Sequence, residues 1–399
     1  MSETEELKLE GSRGRSGHRQ AGVPILVAAG YVNIDMIAYV PTLPDKDQRI
    51  TGAVIRRELG GMSANLACAA ANLGPPWQVR AELISTVGHD PDSLWVLTEL
   101  ERRGVSTRWT ARPPDGRVTY CLILVDEEGD RAIISEPMQF YESKVAERIV
   151  WVEGRAMEPE HGREAMDEGS GKGGVDADIV RLLHTEGYWI PQLLPHIKRA
   201  RELGWLTSID LDGLSAEWQN PQGLMQIAQC FDIVFMNRGT ATAVWPDIPR
   251  DGAWLPAVEG RLMQIASGKH SASGTYRQMP LHKSARGKLS GAIVLTLGED
   301  GALLVPREGA PVRIEGVRVR TVDTTGAGDV FAGTFLAIWL NRGSLDVAGR
   351  YACVAAALST TGRGALGYLP TAENILSFVP SQLEPVCGAD ESVEDRSRR

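Results

Sequence analysis

The stretch Thr321-Val-Asp-Thr-Thr-Gly-Ala-Gly-Asp-Val-Phe-Ala-Gly-Thr-Phe335 constrains this chain more than any other. A turn containing Gly326-Ala327-Gly328 opens directly into an apolar run, Val330 to Leu340, long enough for three helical turns. Two glycines before a helix let a ligand approach the backbone closely. The helix mouth then presents free N–H groups and the positive end of its dipole, an anion site. An acidic residue among those amides, Asp329, repels a bound phosphate. It makes chemical sense if Asp329 takes a proton from an attacking hydroxyl while the amides hold the developing phosphoryl charge. Read locally, an Asp-capped helix after a glycine turn fits the same residues.

The run Asp323-Thr-Thr-Gly-Ala-Gly-Asp329 resembles the C-terminal signature of the ribokinase/PfkB family of small-molecule kinases. The resemblance implies that Asp329 is the catalytic base and that the Gly326, Ala327 and Gly328 amides form an anion hole. Asp323 and Thr325 would help to hold a monovalent cation. A second stretch, Gly60-Gly61-x-x-x-Asn65 followed by Ala71-Asn-Leu-Gly74, is similar to the family's N-terminal substrate motif. It would lay substrate against the glycine backbone and offer the Asn65 amide to a hydroxyl. Met62 stands where some sugar kinases carry lysine.

At 399 residues the chain can bury a sizeable core, and its 43% hydrophobic and 23% charged content are ordinary for a globular protein. A net charge of −9 argues against a nucleic-acid binder that relies on basic surface. Five dispersed cysteines without a Cys-x-x-Cys pair read as reduced thiols rather than a disulfide frame or zinc site. The polar residues 1–20 lack the apolar centre of a signal peptide, and no run of apolar residues is long enough to span a membrane. A cytoplasmic protein is expected.

In chain order, residues 1–20 and 381–399 read as disordered tails flanking a kinase domain over 21–380. Val23 to Gly30 suits a buried parallel strand, with Asn33 and Asp35 on one side of the extended segment at its end. Asp35 looks like the family's first substrate contact; a turn cap is the local alternative. Two short strands within 36–58 and a hairpin within 117–135 would form a small sheet that lies over the substrate as a lid. A helix from Leu66 to Leu73 closes at Gly74, and Asp90 reads as the cap of a helix over Asp92–Arg103. The Gly-rich, charged residues 152–176 read as a mobile insertion. A strand over 179–184, a helix over 191–203 and a strand over 206–212 make a βαβ unit. Asp210 and Asp212 at its end face the proposed cleft and resemble the family's strand-end acidic position. Cys230 to Asn237 is a further strand, with Asn237 a nucleotide contact, although Asn237-Arg-Gly-Thr240 lacks the glutamate of the family's Asn-x-x-Glu motif. Residues 244–288, with a basic set at Lys269, His270, His282, Lys283, Arg286 and Lys288, read as solvated loop.

Thr296-x-Gly298-x-x-Gly301 is similar to the family's nucleotide loop, and the small-residue helix after 351 would place Cys353 by the adenine. Ser359 and Gly364 would complete the monovalent-cation site. The fold implied is a ribokinase-like three-layer α/β/α sandwich with a mostly parallel central sheet. ATP and Mg2+ would be the cofactors, with potassium as the cation of Asp323. The expected reaction phosphorylates a primary hydroxyl of a small sugar. A nucleoside kinase or a sugar-phosphate kinase is the alternative within the class, and a non-catalytic sugar or nucleotide sensor the alternative outside it. A homodimer through the small sheet is the expected assembly.

Overall fold

The computed structural model describes residues 22–51, 54–128, 131–152, 179–267, 283–284, 287–289 and 291–378. The expected tails, the insertion at 152–176 (beyond Val152) and the side chains of the basic set at 269–288 lie outside the described residues.

The central sheet is built from β1 (Ile25–Ala29), β4 (Arg80–Ile84), β5 (Val105–Ser106), β8 (Arg181–Glu186), β9 (Leu206–Asp210), β10 (Ile233–Asn237), β13 (Ala292–Thr296), β14 (Ala302–Pro306) and β15 (Val312–Ile314). Their order is β15-β14-β13-β10-β9-β8-β1-β4-β5. All neighbours from β13 to β5 run parallel; β14 and β15 turn back antiparallel at one edge. The strands read as near-continuous apolar runs because both faces are covered. Along β1, Leu26 and Ala28 enter one core, whereas Ile25, Val27 and Ala29 enter the other.

The first core is packed by helices α1 (Met62–Asn72), α2 (Pro91–Arg102), α8 (Ala327–Arg342), α9 (Leu345–Ser359) and α10 (Ala372–Phe378). The second is packed by α3 (Ser143–Val152), α4 (Ile190–Glu202), α5 (Pro221–Cys230), α6 (Arg238–Val244) and α7 (Trp254–Ala266). Three layers result, helix on sheet on helix. Asp90 caps α2 as expected, accepting from the Asp92 and Ser93 amides.

The smaller sheet has the order β3-β2-β6-β7, from β2 (Asn33–Tyr39), β3 (Ile55–Gly60), β6 (Thr119–Val125) and β7 (Arg131–Ser135). Register places Asp35 opposite Cys121, Ile37 opposite Ile123, Tyr39 opposite Val125 and Arg131 opposite Val125. These residues therefore share one face, which carries the cluster of Ile37, Cys121, Ile123 and Val125. A two-stranded ribbon, β11 (Lys283–Ser284) and β12 (Gly287–Lys288), completes the strands described.

Two expectations need correction. Asn33 and Asp35 do not end the first strand: β1 stops at Ala29, the chain bends at Gly30, and both residues begin β2 of the small sheet. Nor is the start of 244–288 a solvated loop. Trp254, Val258, Leu262 and Ile265 of α7 recur at helical spacing and are buried against the sheet.

Candidate active site

Parallel topology aligns a row of polar residues at the carboxyl ends of adjacent strands: Glu186 on β8, Asp210 on β9, Asn237 on β10 and Thr296 on β13. In open α/β sheets ligands bind at these ends. The small sheet supplies the opposite wall. Asn33 Nδ2 donates to Asp35 Oδ1 at 2.6 Å, and Asp35 packs against Gly60, where an added Cβ would fall 2.2 Å from Oδ2. Burial pushes the Asp35 carboxyl up to about 6 despite the Asn33 bond. Gly61 has φ of 104°, and a Cβ there would lie 2.6 Å from the Tyr31 carbonyl, so the turn into α1 requires glycine.

Helix α1 carries Ser63 and Asn65 into the cleft, and α8 carries Asp329 to meet them. Asn65 Nδ2 donates to Asp329 Oδ2 at 2.8 Å. Gly326 caps α8 in the left-handed region, with φ of 72°. The first intrahelical bond runs from Val330 N to Gly326 O, so the Gly328 and Asp329 amides precede the helical ladder. A Cβ on Gly328 would meet nothing within 4 Å. The space beside Gly328 is therefore open, whereas Ala365 packs against Gly326. Burial drives the half-buried Asp329 carboxyl well above its ordinary value; the Asn65 bond opposes this, and the charges of Asp210, Glu186 and Asp212 add to it. Asp210 is likewise raised by burial, to about 7, although it accepts from the Asp212 amide at 2.9 Å.

Glu186 was not among the expected site residues. It is 0% exposed, accepts from the Ser63 amide at 2.7 Å and from Trp189 Nε1 at 3.2 Å, and burial pushes it up to about 8. Its one local signal is a carboxylate closing an apolar strand just before Gly187. Near it, Ser63 Oγ, Asn65 Oδ1 and Asn33 Oδ1 are buried without a hydrogen-bond partner. Orphaned polar atoms lining a cleft suit a ligand rich in hydroxyl groups.

On the other side of Asp329, Asn237 Oδ1 accepts from the Thr240 amide at 2.8 Å and so caps α6. Thr296 Oγ1 donates to the Met236 carbonyl at 3.3 Å, which ties β13 to β10. Gly298 and Gly301 both have positive φ, and no atom stands within 4 Å of a Cβ on Gly298. Arg238 braces this turn by donating to Leu297 O at 3.3 Å and pairing with Asp300. Cys353 is 6% exposed in the first core, and burial pushes its thiol up to about 12.

Asp323 sits in a dense network. Its Oδ1 accepts from Thr325 N at 2.9 Å, Thr325 Oγ1 at 2.6 Å and Arg131 Nη2 at 3.2 Å. Its Oδ2 accepts from Gly364 N at 2.9 Å and Tyr39 OH at 3.1 Å. Burial favours the neutral acid, yet the bonds from Thr325, Gly364 and Tyr39 hold this carboxyl below its usual range. Ser359 Oγ donates to Ala356 O at 2.8 Å within its own helix. Thus Asp323, Thr325 and Gly364 come together, with Arg131 and Tyr39 of the small sheet joined to them.

Comparisons with known proteins agree with this geometry. The chain is 27% identical over 361 residues to an ATP-dependent ribose-1-phosphate kinase of Halopiger xanaduensis, covering 90% of this chain and 99% of the relative. It is 25% identical over 328 residues to a fructokinase of Vibrio alginolyticus, covering 80% and 91%. Its fold is that of Arabidopsis thaliana ribokinase complexed with ribose and ATP, with a TM-score of 0.62 at 17% identity over 89% of this chain and 98% of that one. Among the described residues no helix is long and apolar enough to cross a membrane. Residues 25–147 and 279–372 match the model of the pfkB family carbohydrate kinases, and the chain belongs to that family.

Proposed function

We propose that this protein transfers the γ-phosphoryl group of ATP to a primary hydroxyl of a small sugar, with Asp329 as general base. The observation that carries the reading is the 2.8 Å bond from Asn65 to Asp329, which holds the carboxylate beside the open amides of the α8 N-terminus. A hydroxyl bound at Asp329 gives up its proton to the carboxylate as its oxygen bonds to the γ-phosphorus. The bond from that phosphorus to the β–γ bridging oxygen breaks, and ADP leaves. The Gly326 and Gly328 amides meet the charge that develops on the phosphoryl oxygens, while the Ala327 amide is held by the Thr324 carbonyl at 3.3 Å; such a free donor contributes about 3 kcal/mol in comparable sites.

Asp35, Gly60, Gly61, Asn65 and Glu186 would hold the sugar, and the orphaned Asn33 Oδ1, Asn65 Oδ1 and Ser63 Oγ would be satisfied by its hydroxyls. Asn237, Thr296, Gly298 and Gly301 would flank the nucleotide. Magnesium carried by ATP would draw charge from the phosphates, and Asp210 and Asp212 are the acidic groups placed to meet it, since Thr240 replaces the glutamate of Asn-x-x-Glu. Asp35, Asp210, Asp212 and Asp329 line the cleft with carboxyl groups, which favours a neutral sugar over one already phosphorylated. A nucleoside is the second reading. Tyr31 and Tyr188 meet edge to face at 5.9 Å next to Glu186, an aromatic surface for a base.

The test is ADP release from ATP across pentoses, hexoses, nucleosides and sugar phosphates, with Asp329→Asn alongside. Turnover on a free sugar, lost in the variant, is expected. Turnover confined to sugar phosphates would overturn the acidic-cleft argument. Sugar binding without any turnover would indicate a sensor.

A further inference from the structure

The family resemblance assigns a monovalent cation to Asp323, Thr325, Ser359 and Gly364, and their arrangement does not fit one. An ionised carboxylate offers about four lone-pair sites. Asp323 already accepts five hydrogen bonds, from Thr325 N, Thr325 Oγ1, Arg131 Nη2, Gly364 N and Tyr39 OH. The Ser359 hydroxyl is committed to Ala356 O. The carboxylate of Glu58 fills the space beside Gly364, where a Cβ would fall 1.7 Å from its Oε2.

A positive charge is nevertheless present. Arg131, on β7, pairs with Asp323 Oδ1 at 3.2 Å and donates to Thr324 Oγ1 at 2.9 Å. Arg363 lies 5.4 Å from the Tyr39 ring centre on the same side of the site. Asp323 and Glu58 supply two negative charges, and Arg131, Arg363 and Arg56, the last acting on Glu58, supply three positive ones, so the carboxylates are compensated without an ion. Thr324 is also the residue whose carbonyl accepts from the Ala327 amide at 3.3 Å. A guanidinium fixed at Thr324 therefore fixes the turn that presents the Gly326–Gly328 amides.

We propose that Arg131 stands in for the monovalent cation. It is a positioning residue, a guanidinium tethered to the small sheet that locks the anion-binding turn through Asp323 and Thr324 and frees the enzyme from potassium. A single nitrogen, Nη2, donates to oxygens of both adjacent residues, and the rigid guanidinium plane holds those donors in a fixed direction, which a spherical ion does not. The proposal rests on the kinase reading for its kinetic arm only.

The experiment compares potassium chloride with tetramethylammonium chloride at equal ionic strength, on the wild type, Arg131→Met and Arg131→Lys. Two readouts are taken: the thermal unfolding midpoint, which needs no turnover, and kcat and KM on whichever substrate is accepted. For the wild type, both are expected to be the same in the two salts. Arg131→Met should lose roughly tenfold or more in kcat with a smaller change in KM for the sugar, and added guanidinium or potassium should restore part of it. Arg131→Lys should retain an intermediate rate without potassium. A wild-type midpoint that rises in potassium alone, or potassium activation of the wild type, would overturn the proposal. So would an Arg131→Met enzyme that keeps full kcat, or one whose loss neither cation repairs. Absence of turnover on every substrate would refute the kinase reading and leave the midpoint comparison to decide the cation.

Discussion

Asn65 on α1 donates to Asp329 on α8 at 2.8 Å, a contact between residues 264 positions apart. It exists because the two helices nearly touch. A Cβ on Gly333, one turn further along α8, would lie 2.4 Å from the Leu66 carbonyl and 3.2 Å from the Ala69 methyl. Backbone cannot yield as a side chain can. Gly333→Ala should therefore push α8 off α1, costing about 1–3 kcal/mol of stability by urea unfolding. It should also lower kcat, although Gly333 touches no substrate. A variant with native stability and native kcat would show that the close approach is incidental.

Replacing the base itself separates chemistry from scaffold. Asp329→Asn keeps size and the chance of a bond to Asn65 but cannot accept a proton. Turnover should fall by about 10²–10⁴ with substrate binding retained by calorimetry. Loss of both binding and folding would remove the support for a catalytic role.

Asn65 also tunes that base. Its bond to Asp329 opposes the upward push of burial and of the Asp210, Glu186 and Asp212 charges. Asn65→Ala should therefore raise the Asp329 pKa further. Because the base works deprotonated, the acid limb of the kcat/KM–pH profile should move to higher pH. A limb that stays in place, or moves down, contradicts the assignment of Asp329 as the titrating base.

Glu186 predicts how stability depends on pH. Burial raises it from the ordinary 4.5 of a glutamate to about 8, so the folded state keeps its proton where the unfolded chain has released it. Stability from this group is full below pH 4.5 and declines as pH rises towards 8. Glu186→Gln removes that decline, and the thermal midpoint of the variant relative to wild type should improve steadily from pH 5 to pH 8. A difference independent of pH would mean that Glu186 is ionised in the fold.

Contiguous features were legible from the chain alone. The run from Asp323 to Asp329 carries a turn, a cap and a carboxylate within one short segment, and Asp90 precedes its helix as a cap should. Features made by the fold were not. The apolar run through Gly30 hides the point where the chain leaves one sheet for another, so Asn33 and Asp35 read as the end of β1. Gly252 and Pro256 masked the helical spacing of Trp254, Val258, Leu262 and Ile265. Glu186 is distinguished chiefly by burial, and Arg131 only by a partner 192 positions away. The strand-end position of Glu186 before Gly187 is a weak local signal, and Arg131 has none that points to Asp323.

The small sheet ends in an unpaired edge among the described residues. β7 pairs only with β6, and every residue from Arg131 to Ser135 is exposed, with Ile133 at 58% and Ile134 at 69%. Leu122, opposite Ile134 in the register, is 49% exposed on the same face. A long apolar edge strand left open invites a further strand, and monomers usually blunt such edges with charge or proline. Residues 131–135 carry a single charge, on Arg131, and it is turned inward to Asp323. A second copy of this chain, pairing through the same edge, would cover Ile133 on the face shared with Asp35 and Ile134 on the opposite face. Sedimentation equilibrium should find a dimer, and Ile134→Glu should shift it to monomer with little change in the thermal midpoint, since this side chain is 69% exposed in its own chain. A wild type that remains monomeric at all loading concentrations would show that the edge is left open.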